Sequence, residues 1–97
     1  MGAFMIIQAD ITDPDRFVEY ARRTPALIEQ FGGRYRSMRG ELEQLEGKPD
    51  NRKLVVSEWP SMEAARAFWH SPEYAAVRQY REGTGEFDVY LVEITND

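Results

Sequence analysis

"RKLVVSEWPSMEAARAFWHSPEY", Arg52–Tyr74, changes its period in the middle, and that change decides the fold. Up to Trp59 the side chains alternate. Leu54, Val56 and Glu58 fall on one face and Val55, Ser57 and Trp59 on the other, which is the pattern of a strand over Arg52–Trp59. Beyond Pro60 the spacing becomes helical. Ser61 is placed to cap a helix in "PSMEAARAFWH", and Ser71 with Pro72 restarts it in "SPEYAAVRQYRE". A strand therefore runs directly into a helix built in two segments.

The flanks repeat this grammar. "FMIIQADI", Phe4–Ile11, reads as a strand with Met5, Ile7, Ala9 and Ile11 on one face and Phe4 and Ile6 on the other. Asp13 and Pro14 then open a helix whose apolar stripe runs through Phe17, Tyr20, Ala21, Thr24, Leu27, Ile28 and Phe31. Pro25 lies inside it without an N–H to donate, so a kink is expected there, with Thr24 capping the restarted segment. Gly32 and Gly33 close the helix. "RYRSM" is a second strand, expected to continue through "ELEQLEG" beyond a break at Gly40, and "GKPDN" is a turn. "EFDVYLVEI", Glu86–Ile94, is the last strand.

The order strand–helix–strand–strand–helix–strand predicts one α+β domain over residues 1–97. Its form is a ferredoxin-like βαββαβ sandwich, a four-stranded antiparallel sheet with the helices on one face. A sheet whose second face meets water alternates apolar and polar residues. The first, third and last strands here are apolar on both faces for much of their length, so a second copy is expected to cover the free face. Four strands of five to six residues offer roughly 350 Å² of flat footprint, from spacings of about 4.8 Å between strands and about 3.3 Å per residue. A stable dimer hides about 800 Å² per partner, so further surface has to join in.

Composition narrows the chemistry. The chain has 97 residues, no cysteine and a net charge of −5, which removes thiol nucleophiles and zinc–thiolate sites. It also argues against a nucleic-acid partner, which calls for concentrated positive charge. Arg34, Arg36 and Arg39 form the nearest approach to a basic patch, read as a strand with arginines facing water or, more sharply, as a small-anion site. No stretch approaches the roughly twenty apolar residues of a membrane span, and "MGAFMIIQAD" lacks the makings of a signal peptide. A cytoplasmic protein is expected.

Three pieces, "TDP" opening the first helix, "FGGR" closing it and "PSMEAARAFWHSPEY", resemble the family catalogued as domain of unknown function 1330 in the dimeric α/β-barrel superfamily. The resemblance spans nearly the whole chain. It implies a ferredoxin-like protomer whose free sheet face pairs with a second copy to close a barrel. The wider superfamily includes cofactorless monooxygenases, muconolactone-type isomerases and haem-dependent enzymes, but fold-level analogy carries no catalytic residue across.

Candidate site residues come from the chain itself. His70, the only histidine, ends the first helical segment; it reads as a group favoured by the helix dipole or as an acid–base residue in a cleft. Glu58 at a strand end reads as a desolvated general base or as the ion partner of a neighbouring arginine. Tyr35, Trp69 and Tyr90 are candidates to line a ligand cleft, against the ordinary reading of aromatic packing. A lone histidine without carboxylates at ligand spacing leaves no metal site and no cofactor expected. The readings that remain are a cofactor-independent enzyme acting on a small apolar or aromatic molecule in a helix–sheet cleft, a non-catalytic small-molecule-binding or stress-associated dimer, and a purely structural association.

Overall fold

The computed structural model describes residues 1–95. Its elements are β1 (Ala3–Ile11), α1 (Pro14–Gln30), β2 (Arg34–Ser37), β3 (Lys53–Trp59), α2 (Met62–Trp69), α3 (Pro72–Arg78), a 3₁₀ turn (Gln79–Arg81) and β4 (Gly85–Glu93). The strands form one antiparallel sheet in the order β2-β3-β1-β4, and the helices cover one face of it. This is the ferredoxin-like arrangement. Among the described residues no helix is long and apolar enough to cross a membrane.

The helix ends follow the sequence closely. Asp13 accepts from the Arg16 amide at 3.2 Å, Ser61 from Ala64 at 3.0 Å and Ser71 from Tyr74 at 3.0 Å, each side chain satisfying a first-turn amide that has no partner within its helix. Gly32 takes φ 89°, the left-handed conformation that ends α1. Two expectations need correction. Thr24 does not cap a restarted segment: α1 is assigned as one helix through Pro25, and the Thr24 hydroxyl donates back to the Tyr20 carbonyl at 2.6 Å. Nor does "ELEQLEG" extend β2. The β2–β3 register slips between Tyr35 and Ser37, the strand ends there, and residues 38–52 form an irregular excursion.

The core lies between helices and sheet and is largely aromatic. Phe68 of α2 is its hub, with its ring centre 4.9 Å from Trp59, 4.3 Å from Tyr74 and 6.0 Å from Phe31. Such pairs add about 0.5–1.5 kcal/mol each beyond the area they bury. The chain of rings continues from Tyr74 to Tyr20 and on to Phe17 and Phe87. Within it the Tyr20 and Tyr74 hydroxyls share a buried hydrogen bond of 2.6 Å. Burial, reinforced by Tyr74, holds the Tyr20 phenol well above the usual tyrosine range, and the same causes push Tyr35 up to about 12.

On the opposite face the register aligns three rows across β3, β1 and β4: Leu54–Gln8–Asp88, Val56–Ile6–Tyr90 and Glu58–Phe4–Val92. Six of these nine side chains are apolar. Tyr90 is 58% exposed and Val92 45%, high values for large apolar groups on a sheet.

Two outcomes follow from the core. A methyl group on Gly33 would sit 2.7 Å from the Trp59 ring, so Gly33→Ala is expected to cost about 1–3 kcal/mol, read as a lower urea midpoint at an unchanged slope. Tyrosine ionises near pH 10 in the unfolded chain. A phenol with a raised folded-state value keeps its proton longer in the native state, so its stabilisation is complete below pH 10 and is lost as pH rises. Denaturation midpoints are therefore expected to fall between pH 10 and about 12, and Tyr35→Phe to make that fall shallower.

Candidate functional site

The junction between α2 and α3 builds the site. Ser71 uses one hydroxyl twice, donating to the Phe68 carbonyl at 2.8 Å and accepting from the Tyr74 amide at 3.0 Å, so the end of α2 and the start of α3 are tied at a single side chain. His70 is the C-cap of α2, its amide donating to the Arg66 carbonyl at 3.0 Å. Residues four apart lie one above the other on a helix face, so Arg66 and His70 share a side. Trp69 is held from behind by Tyr74, with ring centres 5.4 Å apart, and by the Arg78 guanidinium 4.9 Å from its ring.

Beneath this turn is a cavity of about 200 Å³ lined by Met5, Arg66, Trp69, His70, Val89 and Leu91. Strands β1 and β4 supply its apolar floor, because Met5 and Leu91 are direct cross-strand partners on the helix side of the sheet. Helix α2 supplies an indole wall and two nitrogen-bearing side chains at the mouth. Arg66 has no ion pair among the described residues and stands exposed at the rim. The chemistry on offer is apolar and aromatic contact below and hydrogen-bond donation with positive charge above.

The sequence-derived candidates are divided by the sheet. His70 and Trp69 line the cavity. Glu58 lies on the other face, where its carboxylate sits 3.7 Å from Arg34 and 3.4 Å from Arg36, the ion-pair alternative among its two readings. Tyr90 is on that same free face beside Ile6. Tyr35 is on the helix side but belongs to the tyrosine group around Tyr74, away from the cavity lining. Glu58 and His70 therefore do not meet within one protomer. Arg66 was missed by the sequence reading, although its spacing of four from His70 was a usable signal. So was Arg81, whose guanidinium lies 4.3 Å from the Phe87 ring with its Nε buried and lacking a hydrogen-bond partner among the described residues. No three histidine, aspartate or glutamate side chains among the described residues converge as a metal site.

A second concavity lies on the free face, between the 38–52 excursion and the sheet. It is an open groove of about 880 Å³ whose walls include Met38, Leu42, Lys48, Arg52 and Leu54.

No curated protein matches this sequence. Solved structures that resemble it include two of one protein. The RPA0582 protein of unknown function from Rhodopseudomonas palustris superposes with a TM-score of 0.76 at 15% identity, covering 99% of this chain and 84% of that one. Methylated RPA0582 protein gives 0.74 at 18% identity, covering 98% and 82%. At these identities the likeness is one of fold. The family profile described as "Domain of unknown function (DUF1330)" matches residues 2–95, nearly the whole chain, and the protein belongs to that family.

Proposed function

We propose that the protein is a homodimeric small-molecule-binding protein, and that its ligand is a small apolar or aromatic molecule bearing a negative charge, held in the cavity beneath α2. The cavity lining carries this reading. Met5, Val89, Leu91 and Trp69 form a surface suited to an apolar body, and the free Arg66 guanidinium at the mouth suits a carboxylate. Pairing two copies across the free sheet face is supported by the six apolar side chains Phe4, Ile6, Leu54, Val56, Tyr90 and Val92, which the helices leave uncovered.

A catalytic version of the same reading is favoured by one observation, the placement of His70 in the cavity wall. It would use the imidazole as the acid–base group, with Glu58 excluded as its partner by the intervening sheet. The versions separate on the fate of the ligand. Small molecules released by heating protein purified from its native source are identified by mass spectrometry and returned to fresh protein. Unchanged recovery supports binding alone. Conversion that His70→Ala abolishes supports catalysis.

Benzoate, an aromatic carboxylate, is the probe for the binding reading. It is expected to perturb Trp69 fluorescence saturably, and Arg66→Ala to weaken it about tenfold while leaving benzyl alcohol unaffected. Equal weakening of both, or no saturable signal at millimolar benzoate, overturns the proposed ligand class. For the assembly, sedimentation at micromolar concentration is expected to give twice the chain mass, and Tyr90→Asp to move it toward the monomer with an unchanged far-ultraviolet circular dichroism spectrum. A wild-type chain that sediments as a monomer at about 100 µM defeats the dimer half of the reading.

A further inference from the structure

The 38–52 excursion is irregular, yet it is tightly organised. The Gln44 side chain donates to the carbonyls of Glu46 at 3.2 Å and Lys48 at 2.6 Å and accepts from the Asp50 amide at 3.0 Å, closing the segment on itself. Asp50 accepts from the Arg52 amide at 3.0 Å and from its guanidinium. Arg52 then reaches the sheet, donating to Gln8 of β1 at 2.8 Å and pairing with Asp88 of β4. The Gln44, Asp50 and Arg52 side chains are thus used within the segment and at this anchor. Its leucines are not covered: Leu42 is 56% exposed and Leu45 is 87% exposed. Runs longer than about 12–15 residues without regular structure are uncommon in compact domains and usually functional.

Position and area identify the occupant. The anchor row Leu54–Gln8–Asp88 is one end of the free sheet face, so the groove beside 38–52 is continuous with the apolar rows. With strands of 9, 4, 7 and 9 residues, that face alone gives roughly 460 Å² of footprint. A stable dimer buries about 800 Å² per partner. We infer that the 38–52 segment of each protomer is an arm that closes over a second copy of this chain, burying Leu42 and Leu45 against it and supplying the area the sheet face lacks. The inference rests on the homodimer proposed above and assigns a separate structure to it.

Leu42→Asp/Leu45→Asp is the test, because both residues are exposed in the protomer and their replacement leaves its core intact. Analytical ultracentrifugation gives the dimer dissociation constants of the wild type, this variant, Tyr90→Asp, and Val18→Asp as an exposed control on α1. The arm predicts a rise of at least tenfold for the double variant, none for Val18→Asp and an unchanged circular dichroism spectrum throughout. Tyr90→Asp weakening the dimer while the double variant does not would overturn the arm and leave the sheet dimer standing. A monomeric wild type would overturn both. The chain has no cysteine, so a spin label at Leu45→Cys gives an independent reading: immobilisation as concentration rises through the dissociation constant supports the arm. A label equally mobile in monomer and dimer contradicts it, leaving the groove to solvent or to a different partner.

Discussion

The packing of Phe68 against Trp59 and Tyr74 is the contact on which the other features depend. It joins the last residue of β3 to the last turn of α2 and the first turn of α3, three elements whose relative placement the backbone alone leaves open. Trp59 can lie flat there because Gly33 offers no side chain beneath its ring, and its indole nitrogen donates to Ser57 at 2.9 Å. Ser71 then fixes the break between the two helical segments. With Phe68 turned inward at 1% exposure, its neighbour Trp69 is rotated about 100° around the helix and lines the cavity wall. The core contact thus determines which side of α2 carries Arg66 and His70.

Most of the fold was legible because its signals were redundant. Each helix start had both a capping side chain and a proline or a change of period, and β1, β3 and β4 had apolar residues at alternating positions. The excursion after β2 was not legible, for a physical reason. "ELEQLEG" sets its two leucines, Leu42 and Leu45, three apart among acids and glutamine, too weak a pattern to hold a strand by itself, and strand pairing needs a neighbour in register. The slip at Arg36 removes that neighbour, so local pattern yields to tertiary geometry. Thr24 was misread for a similar reason. A threonine before a proline inside a helix can cap or can bond back to the carbonyl four residues earlier, and only the packing decides between them.

The site was half legible. Period-two parity already put Glu58 with Leu54 and Val56 and opposite Trp59. A helix that buries Trp59 must leave Glu58 on the far side, so the separation of Glu58 from His70 is contained in the sequence once that step is taken. The partners of Glu58 were also foreseeable, since Arg34 is its cross-strand neighbour. The floor of the cavity was not. Met5, Val89 and Leu91 come from strands far apart in the chain, and nothing local distinguishes an apolar side chain that fills a core from one that borders a void.

The sheet separates the two proposed surfaces by a single layer of backbone, and this ties them together physically. Met5 forms cavity floor while Ile6 stands in the central row of the free face; Val89 and Leu91 border the cavity while Tyr90 and Val92 face away from it. The protein is only 18 Å across its shortest dimension, and close-packed strands transmit strain in place of absorbing it. A ligand pressing on Met5 and Leu91 acts on the same two strands that a second copy would press through Ile6 and Tyr90. If occupancy of one surface alters the affinity of the other, linkage requires the effect to be equal in both directions, so a ligand that tightened the dimer would itself bind the dimer more tightly by the same factor. The alternation that makes β1 and β4 apolar on both faces is what places these two surfaces back to back.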